Sequence, residues 1–498
     1  MEEKKININE MPKWFRVLLL LTPLIGILLI KTTLDNDFYF LYATGEYIVN
    51  HGFPHKDFLS MHSSMDIIVQ QWLSTVIYYY VYKLFGKVGV LLLLYICYVI
   101  VSYLSLKLSR MITNNMFVSL ICVLAADVWI AAMFIVSRPQ MFTYIIMLFE
   151  MYLLEKFVQE KKIRYLCVLP VLSLLLINLH ASMWAMFFVY AMPYFVNALP
   201  IKIGAWKQTP CCDYRKLLVA GIVSILPGFL NPYGIKAMLY IFSSFGVPEI
   251  NDMINEMKAT SFENAAGKMF FFLVGVMAVV ALMRKKQNRY ETRFVLLFAG
   301  SLVMALMNYK SHAYFYIFAS ICFSYMIQDA QVMLKVSDAK RTPAEKKRLV
   351  LLAGLFAMTV VIAVMAITTT PQKKKKSEEV VSYNQLDDVM KMIPKSDNVV
   401  LYGNFVCGQY LEFHGYHPYI DGRAELFLKA NNKEYDYYIE YYKLKKGEMN
   451  CKKFLERYQF NYLVVEKERD SFLYNYLIDD NSYKQVYKSK TVNLFTKQ

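Results

Sequence analysis

The sequence predicts a polytopic α-helical membrane protein that carries a C-terminal extracytoplasmic α/β domain. Three observations lead there. Of 498 residues, 57% are hydrophobic and mean hydropathy is positive, with repeated apolar runs of the roughly 17–25 residues that a helix needs to cross a bilayer. The formal charge of +16, from 55 Lys and Arg against 39 Asp and Glu, gathers in short loops between those runs, where it orients a membrane protein. Beyond residue 370 the apolar runs stop, and strand-like and helical stretches alternate in the manner of a small water-facing domain.

About eleven spans are expected, near residues 15–31, 88–106, 116–136, 139–157, 164–180, 182–198, 217–230, 268–283, 293–309, 312–334 and 348–369. The first follows Lys4, Lys5, Lys13 and Arg16 and lacks a small-residue cleavage site after it, which reads as an uncleaved signal anchor. With the N-terminus in the cytoplasm, the basic groups of the loops around 107–110, 161–164, 202–216, 284–293 and 340–348 all fall inside. The loops 32–87 and 231–267, which carry Asp35, Asp37, Glu46, Asp57, Asp66, Glu249, Asp252, Glu256 and Glu263, fall outside, as an inside-positive bias requires. An odd number of spans then places domain 371–498 outside as well, opposite to the preference of Lys373 to Lys376; that bias weakens beside a long translocated domain. No basic stripe with interleaved aromatics stands outside these loops, so nucleic acid is not an expected partner.

Within the loop 32–87, two stretches, 38–48 and 67–84, keep aromatics and aliphatics at helical spacing and read as interfacial helices roofing a cavity open to lipid. In the tail, 378–392 reads as helix, 398–402 and 461–465 as strands, and 483–495 as a hairpin. Cys407 and Cys451 lie in the expected external domain, where a disulfide is permitted and its geometry is not readable. No zinc-type spacing exists, and Gly52 and Pro54 interrupt any helix that would align His51 with His55, so no metal is expected.

The chemistry points to the first external loop. A carboxylate at the boundary between water and an apolar bundle is partly desolvated, which raises its pKa and makes it a usable general base; Asp37 and Asp35 stand there. The plain alternative is that they cap a span or solvate a loop.

The string Asp37-Phe38-Tyr39-Phe40, Gly45-Glu46-Tyr47-Ile48, Gly52-Phe53-Pro54, Asp57, Ser60 and Gln71-Trp72-Leu73 resembles the first external loop of bacterial GT-C-type membrane glycosyltransferases. In particular it resembles poorly characterised relatives of the protein mannosyltransferase and aminoarabinose transferase type. Ser137-Arg138-Pro139-Gln140, Asn178-Leu179-His180, Asn231-Pro232-Tyr233-Gly234, Ile254-Asn255-Glu256, Gly408-Gln409-Tyr410-Leu411 and Asp421-Gly422-Arg423 follow in the order the resemblance requires. Where relatives often place two tryptophans and a histidine after the loop aspartate, this chain has Tyr39, Phe40 and Leu41.

The resemblance implies an enzyme that moves a sugar from a polyprenyl-phosphate donor to a glycan, lipid or protein acceptor on the extracytoplasmic face of a bacterial cytoplasmic membrane. The lipid-linked sugar is then a co-substrate, and no cofactor is implied. Asp37, with Asp35 as fallback, would take the acceptor proton. Arg138, Lys310, His312 and His180 are the candidates for the leaving phosphate, with Glu46 and Asp57 as further substrate contacts and Asp421 and Arg423 as candidates in the external domain. Two other classes share this architecture: a transporter or flippase of a lipid-linked substrate, for which no parallel halves are seen, and a non-catalytic protein of surface-polysaccharide assembly.

Overall fold

The computed structural model describes residues 13–113, 116–204, 206–244, 247–263, 265–282, 291–327, 383–396 and 398–498. Apolar sequence becomes helix, as expected for a chain whose backbone polar groups must be satisfied away from water. The helices are α1 (Lys13–Leu29), α2 (Asp37–His51), α3 (Trp72–Ile112), α4 (Met116–Met133), α5 (Gln140–Glu160), α6 (Leu169–Leu179), α7 (Trp184–Ala198) and α8 (Tyr214–Ile225), followed by helices at Ala265–Leu282, Thr292–Met307 and His312–Met326. The first ten expected spans fall on helices; the eleventh, 348–369, lies outside the described residues. Among the described residues α3 alone is both long and apolar enough to cross a membrane by itself, while 118–133, 163–179, 266–281 and 292–307 are shorter apolar helices. The count of eleven crossings therefore rests on hydropathy.

The stretch 38–48 is helical, as α2. The stretch 67–84 is not one interfacial helix. Its first residues are extended, because Ile67 N–H donates to His55 C=O at 3.1 Å and Asp57 N–H to Met65 C=O at 2.8 Å; the rest opens α3, which kinks at Gly86 before running on as the span. Helix α2 lies tightly on α3: a Cβ at Gly45 would stand 2.2 Å from the Thr75 carbonyl oxygen, so only glycine permits this crossing.

The tail is an α/β unit built on a four-stranded sheet ordered Leu401–Gly403, Tyr462–Glu466, Val492–Lys497 and Tyr483–Lys488. The first two strands are parallel and the others antiparallel. The central strand is buried along Leu463, Val464 and Val465, as helices on its faces require. The expected hairpin is present, and the expected helix appears as Tyr383–Met390, with 378–382 outside the described residues. Cys407 and Cys451 are both free thiols, and Cys407 packs into the tail's own core with Leu401 and Leu411.

The tail is knitted to the segment 32–71 that joins α1 to α3. Met61 N–H donates to Pro418 C=O, and Asp66 N–H to Asn432 C=O. Asn36 Nδ2 donates to Val406 C=O at 2.9 Å, and the His417 ring nitrogen Nδ1 meets Leu59 C=O at 3.1 Å. Buried backbone groups must find partners, and here each side supplies them to the other.

Candidate active site

The turn between α4 and α5 delivers Arg138 to the N-terminus of α2. Its backbone is fixed by Tyr78, whose hydroxyl donates to Arg138 C=O at 2.8 Å, and by Pro139, which opens α5 where a missing N–H costs nothing. The guanidinium then meets three carboxylates. Nε lies 2.7 Å from Asp35 Oδ1 and 3.1 Å from Asp37 Oδ2, and Nη1 lies 2.8 Å from Glu256 Oε2. Asp35 is oriented by its own N–H, which donates to Ser137 Oγ at 2.9 Å, and its carboxylate accepts the Asp37 N–H at 3.1 Å. Four residues from three separated segments thus converge on one point.

The cluster is partly open. Arg138 is 18% exposed, Asp37 27% and Glu256 50%. Three acidic groups around one cation leave an excess of negative charge, which penalises ionisation of the most enclosed one. Burial pushes the Asp37 carboxyl up to about 6; Arg138 pulls it down, while Asp35 and Glu256 push it further up, and a hydrogen bond from Gln409 of the tail pulls it down. Gln409 sits on the tail helix Gly408–Phe413, which packs closely on the segment at Ile420 because a Cβ at Gly408 would stand 2.1 Å from the Ile420 carbonyl oxygen.

A second arginine hub lies in the interface between loop and tail. Arg423 Nη1 lies 2.6 Å from Asp57 Oδ1, and Nη2 lies 2.6 Å from Asp421 Oδ2 and 3.5 Å from Glu412 Oε1. The three carboxylates are fully enclosed and the arginine is 11% exposed. Burial raises Asp57, but the Arg423 guanidinium beside it outweighs that and, with Ser60, holds the carboxyl below its ordinary value. Glu412 goes the other way: burial and the neighbouring Asp421 push it well above the carboxylate range, which favours its protonated form. Asp57, Asp421 and Arg423 therefore form a sealed joint, distinct from the open cluster in its enclosure. His62 completes it: burial pushes its imidazole down to about 4, and as a neutral ring it donates from Nε2 to Tyr419 C=O at 3.0 Å and stacks on Tyr437.

The remaining candidates are spread out. Glu46 is exposed on α2, facing away from Arg138. His180 closes α6 and shares a 2.7 Å hydrogen bond with Thr143 Oγ1; Lys310 lies within electrostatic reach of it and makes no ion pair among the described residues. His312 Nε2 donates to Thr260 Oγ1 at 2.7 Å, since that hydroxyl gives its own proton to Ala305 C=O, and the ring stacks on Phe270. It pins the segment before the helix Ala265–Leu282 to the helix bundle. Arg138, expected to receive a leaving phosphate, is instead occupied by carboxylates. Of its three carboxylate partners Glu256 is the half-exposed one.

Two residues in the cluster, Glu256 and Gln409, carried no assigned role from sequence, although both sit in fragments that the resemblance singled out. The other fragments converge as well. Trp72 Nε1 donates to Asn178 Oδ1 at 2.7 Å, Ser74 Oγ to Leu179 C=O, and Tyr233 OH to Pro54 C=O. Among the described residues no group of three or more His, Cys, Asp or Glu side chains is arranged to hold a metal ion.

The fold, with its C-terminal α/β domain, is similar to that of several solved membrane glycosyltransferases. The solved structures it matches include ArnT from Cupriavidus metallidurans bound to undecaprenyl phosphate, with a TM-score of 0.52, 10% identity and 97% of each chain covered. They also include the oligosaccharyltransferase of Archaeoglobus fulgidus tethered to an acceptor peptide, with a TM-score of 0.51, 11% identity and coverage of 97% of this chain and 74% of that one. The arabinofuranosyltransferase AftD from Mycobacteria matches with a TM-score of 0.52 and 10% identity over 97% of this chain and 41% of its own. No protein-family profile and no curated protein matches the sequence.

Proposed function

We propose that the protein is a membrane glycosyltransferase that moves a sugar from a polyprenyl-phosphate carrier to an acceptor hydroxyl on the extracytoplasmic face, with Asp37 as general base. The observation that carries this reading is the Asp37 carboxylate itself. It is partly open, is held by Arg138 and Gln409, and titrates near 6, close enough to neutrality to be ionised in the resting enzyme and still able to hold a proton. The ArnT structure, which contains undecaprenyl phosphate, supports a carrier of that class.

In the reaction the acceptor oxygen attacks the anomeric carbon as Asp37 takes its proton. The bond from that carbon to the phosphate oxygen breaks, and the carrier phosphate departs with the electron pair. Arg138 keeps Asp37 ionised and aimed. Lys310, within electrostatic reach of His180 and in no ion pair among the described residues, is the cation assigned to the departing phosphate in this reading, since opposite charge fixed where negative charge develops lowers the barrier. Asp35 holds the arginine rather than the substrate.

The test uses the full chain reconstituted in nanodiscs, supplied with undecaprenyl-phosphate-linked sugars and an envelope fraction as acceptor, with release of undecaprenyl phosphate measured. Asp37→Asn is expected to lower turnover about 100- to 10,000-fold, the range for loss of a general base, with unchanged insertion and expression. Unaffected transfer by Asp37→Asn would remove Asp37 from the reaction.

A further inference from the structure

The tail grips the start of α2 on both sides of Asp37. Asn36 Nδ2 donates to Val406 C=O at 2.9 Å, and Asn36 Oδ1 accepts from the Tyr383 hydroxyl at 3.1 Å. Tyr39 packs edge-on against the rings of Tyr383, Tyr410 and Phe413, with centroids 5.2, 4.8 and 5.3 Å away. The tail helix Gly408–Phe413 thus lies against α2, and from it the Gln409 amide meets the Asp37 carboxylate.

Inside the tail this amide has little use. Gln409 is 2% exposed, yet among the described residues of the tail its Nε2 finds only the Phe405 carbonyl, at a marginal 3.5 Å, and its Oε1 has no partner. A buried amide left unsatisfied in its own domain lowers stability, so the folding of the tail gives no reason for a glutamine there. A contact with Asp37 does, because an N–H directed at a carboxylate fixes its orientation and favours its ionised form.

The sealed joint stands directly against the amide. Gly422 lies between Asp421 and Arg423, and a Cβ there would stand 2.6 Å from Gln409 Cδ and closer still to its Nε2. The turn 420–423 therefore forms one wall around the amide, and the ion pairs of Arg423 with Asp57 and Asp421 hold that wall in place. Any side chain at 422 takes the space the amide needs. The crowded atoms belong to the end of a flexible side chain, so an alanine there turns Gln409 away and leaves the backbone in place.

We infer that the tail is a working part of the site: Gln409 is a positioning residue that orients the Asp37 carboxylate, and the sealed joint aims it through the clearance at Gly422. The inference rests on Asp37 being the general base and adds the element that couples that base to the tail. Asp37 is otherwise faced by Arg138, Asp35 and Glu256, with Tyr383 in electrostatic reach, and all four are kept in the variants that test the inference.

The experiment follows the Asp37 carboxyl directly, by infrared pH titration of the full chain in nanodiscs, with its band identified as the one absent from Asp37→Asn. Gln409→Met conserves volume and removes the donor, and the midpoint should rise by about 0.5–1 pH unit. Gly422→Ala should move it in the same direction. The double variant should match Gln409→Met alone, since the two changes act through one side chain, and the acid limb of kcat/KM should follow the midpoint. An unchanged midpoint in Gln409→Met would overturn the inference. A Gly422→Ala effect that adds to that of Gln409→Met, or a tail released to protease by Gly422→Ala alone, would overturn the part given to Gly422. A midpoint that rises in Gln409→Met while the rate profile stays fixed would support the contact and remove Asp37 as the base, so the two failures are told apart.

Discussion

Two arginines in this molecule each gather three carboxylates, and they are put to different use. Around Arg138 the acids come from the connection between α1 and α2, the N-terminus of α2 and the segment before the helix Ala265–Leu282, and water reaches Asp37 and Glu256. Around Arg423 the acids come from the segment between α2 and α3 and from the tail, and none is exposed. The same donor and acceptor set is therefore a domain fastener in one place and, under the proposed function, a reactive group in the other. Solvent access decides between them, because an enclosed charged cluster has nowhere to exchange partners, whereas an open one lets a substrate displace a weakly held acid.

The comparison is broken most severely at Arg138. Arg138→Ala should abolish measurable transfer, since it leaves Asp35, Asp37 and Glu256 facing one another without a cation, and Asp37 then stays protonated at neutral pH; the carrier-release assay checks it. At the sealed hub the corresponding change acts on structure. Asp57→Ala should destabilise the joint by about 3–5 kcal/mol, the cost of leaving part of a buried charge network uncompensated. Limited proteolysis should then detach the tail while the bundle remains intact.

Glu412 sharpens the contrast at smaller amplitude. Its folded-state pKa is raised, so the protonated form is the one that folding favours. Its contribution is fully present below the unfolded carboxylate pKa and is lost progressively as pH rises from there toward the folded value. Glu412→Gln imitates the protonated form and should melt at higher temperature than the parent at pH 8, with the gap narrowing at pH 5. A wild-type advantage at pH 8 would place an ionised glutamate in the hub. The smallest change is at Glu256: Glu256→Gln removes one of the charges that raise Asp37 and should move the acid limb of the rate profile to lower pH, with the maximal rate retained.

Much of the architecture was legible because membrane helices and period-two strands leave strong patterns. The α2 helix, the tail hairpin and the break between α6 and α7 follow from apolar spacing. The 67–84 stretch did not, because its first residues pair with 55–57, a tertiary bridge that no local pattern announces. At the site, Asp37 and Arg138 were legible as charged residues at the ends of apolar runs. Their mutual ion pair was not, since 101 residues separate them and hydropathy says nothing of which loops meet. Asp57, Asp421 and Arg423 read as separate candidates, and only the folded chain turns them into one joint. Glu256 and Gln409 were visible as parts of ordered fragments, yet an acid among several in a loop and an amide in a helix carry no mark of the partner they find.

The most direct test of Asp37 as the base is the pH dependence of kcat/KM for the reconstituted full chain. The account predicts that the rate rises through an apparent pKa of about 6, and that this limb moves to lower pH in Glu256→Gln. An acid limb at the ordinary aspartate value of about 4, insensitive to Glu256→Gln, would contradict it.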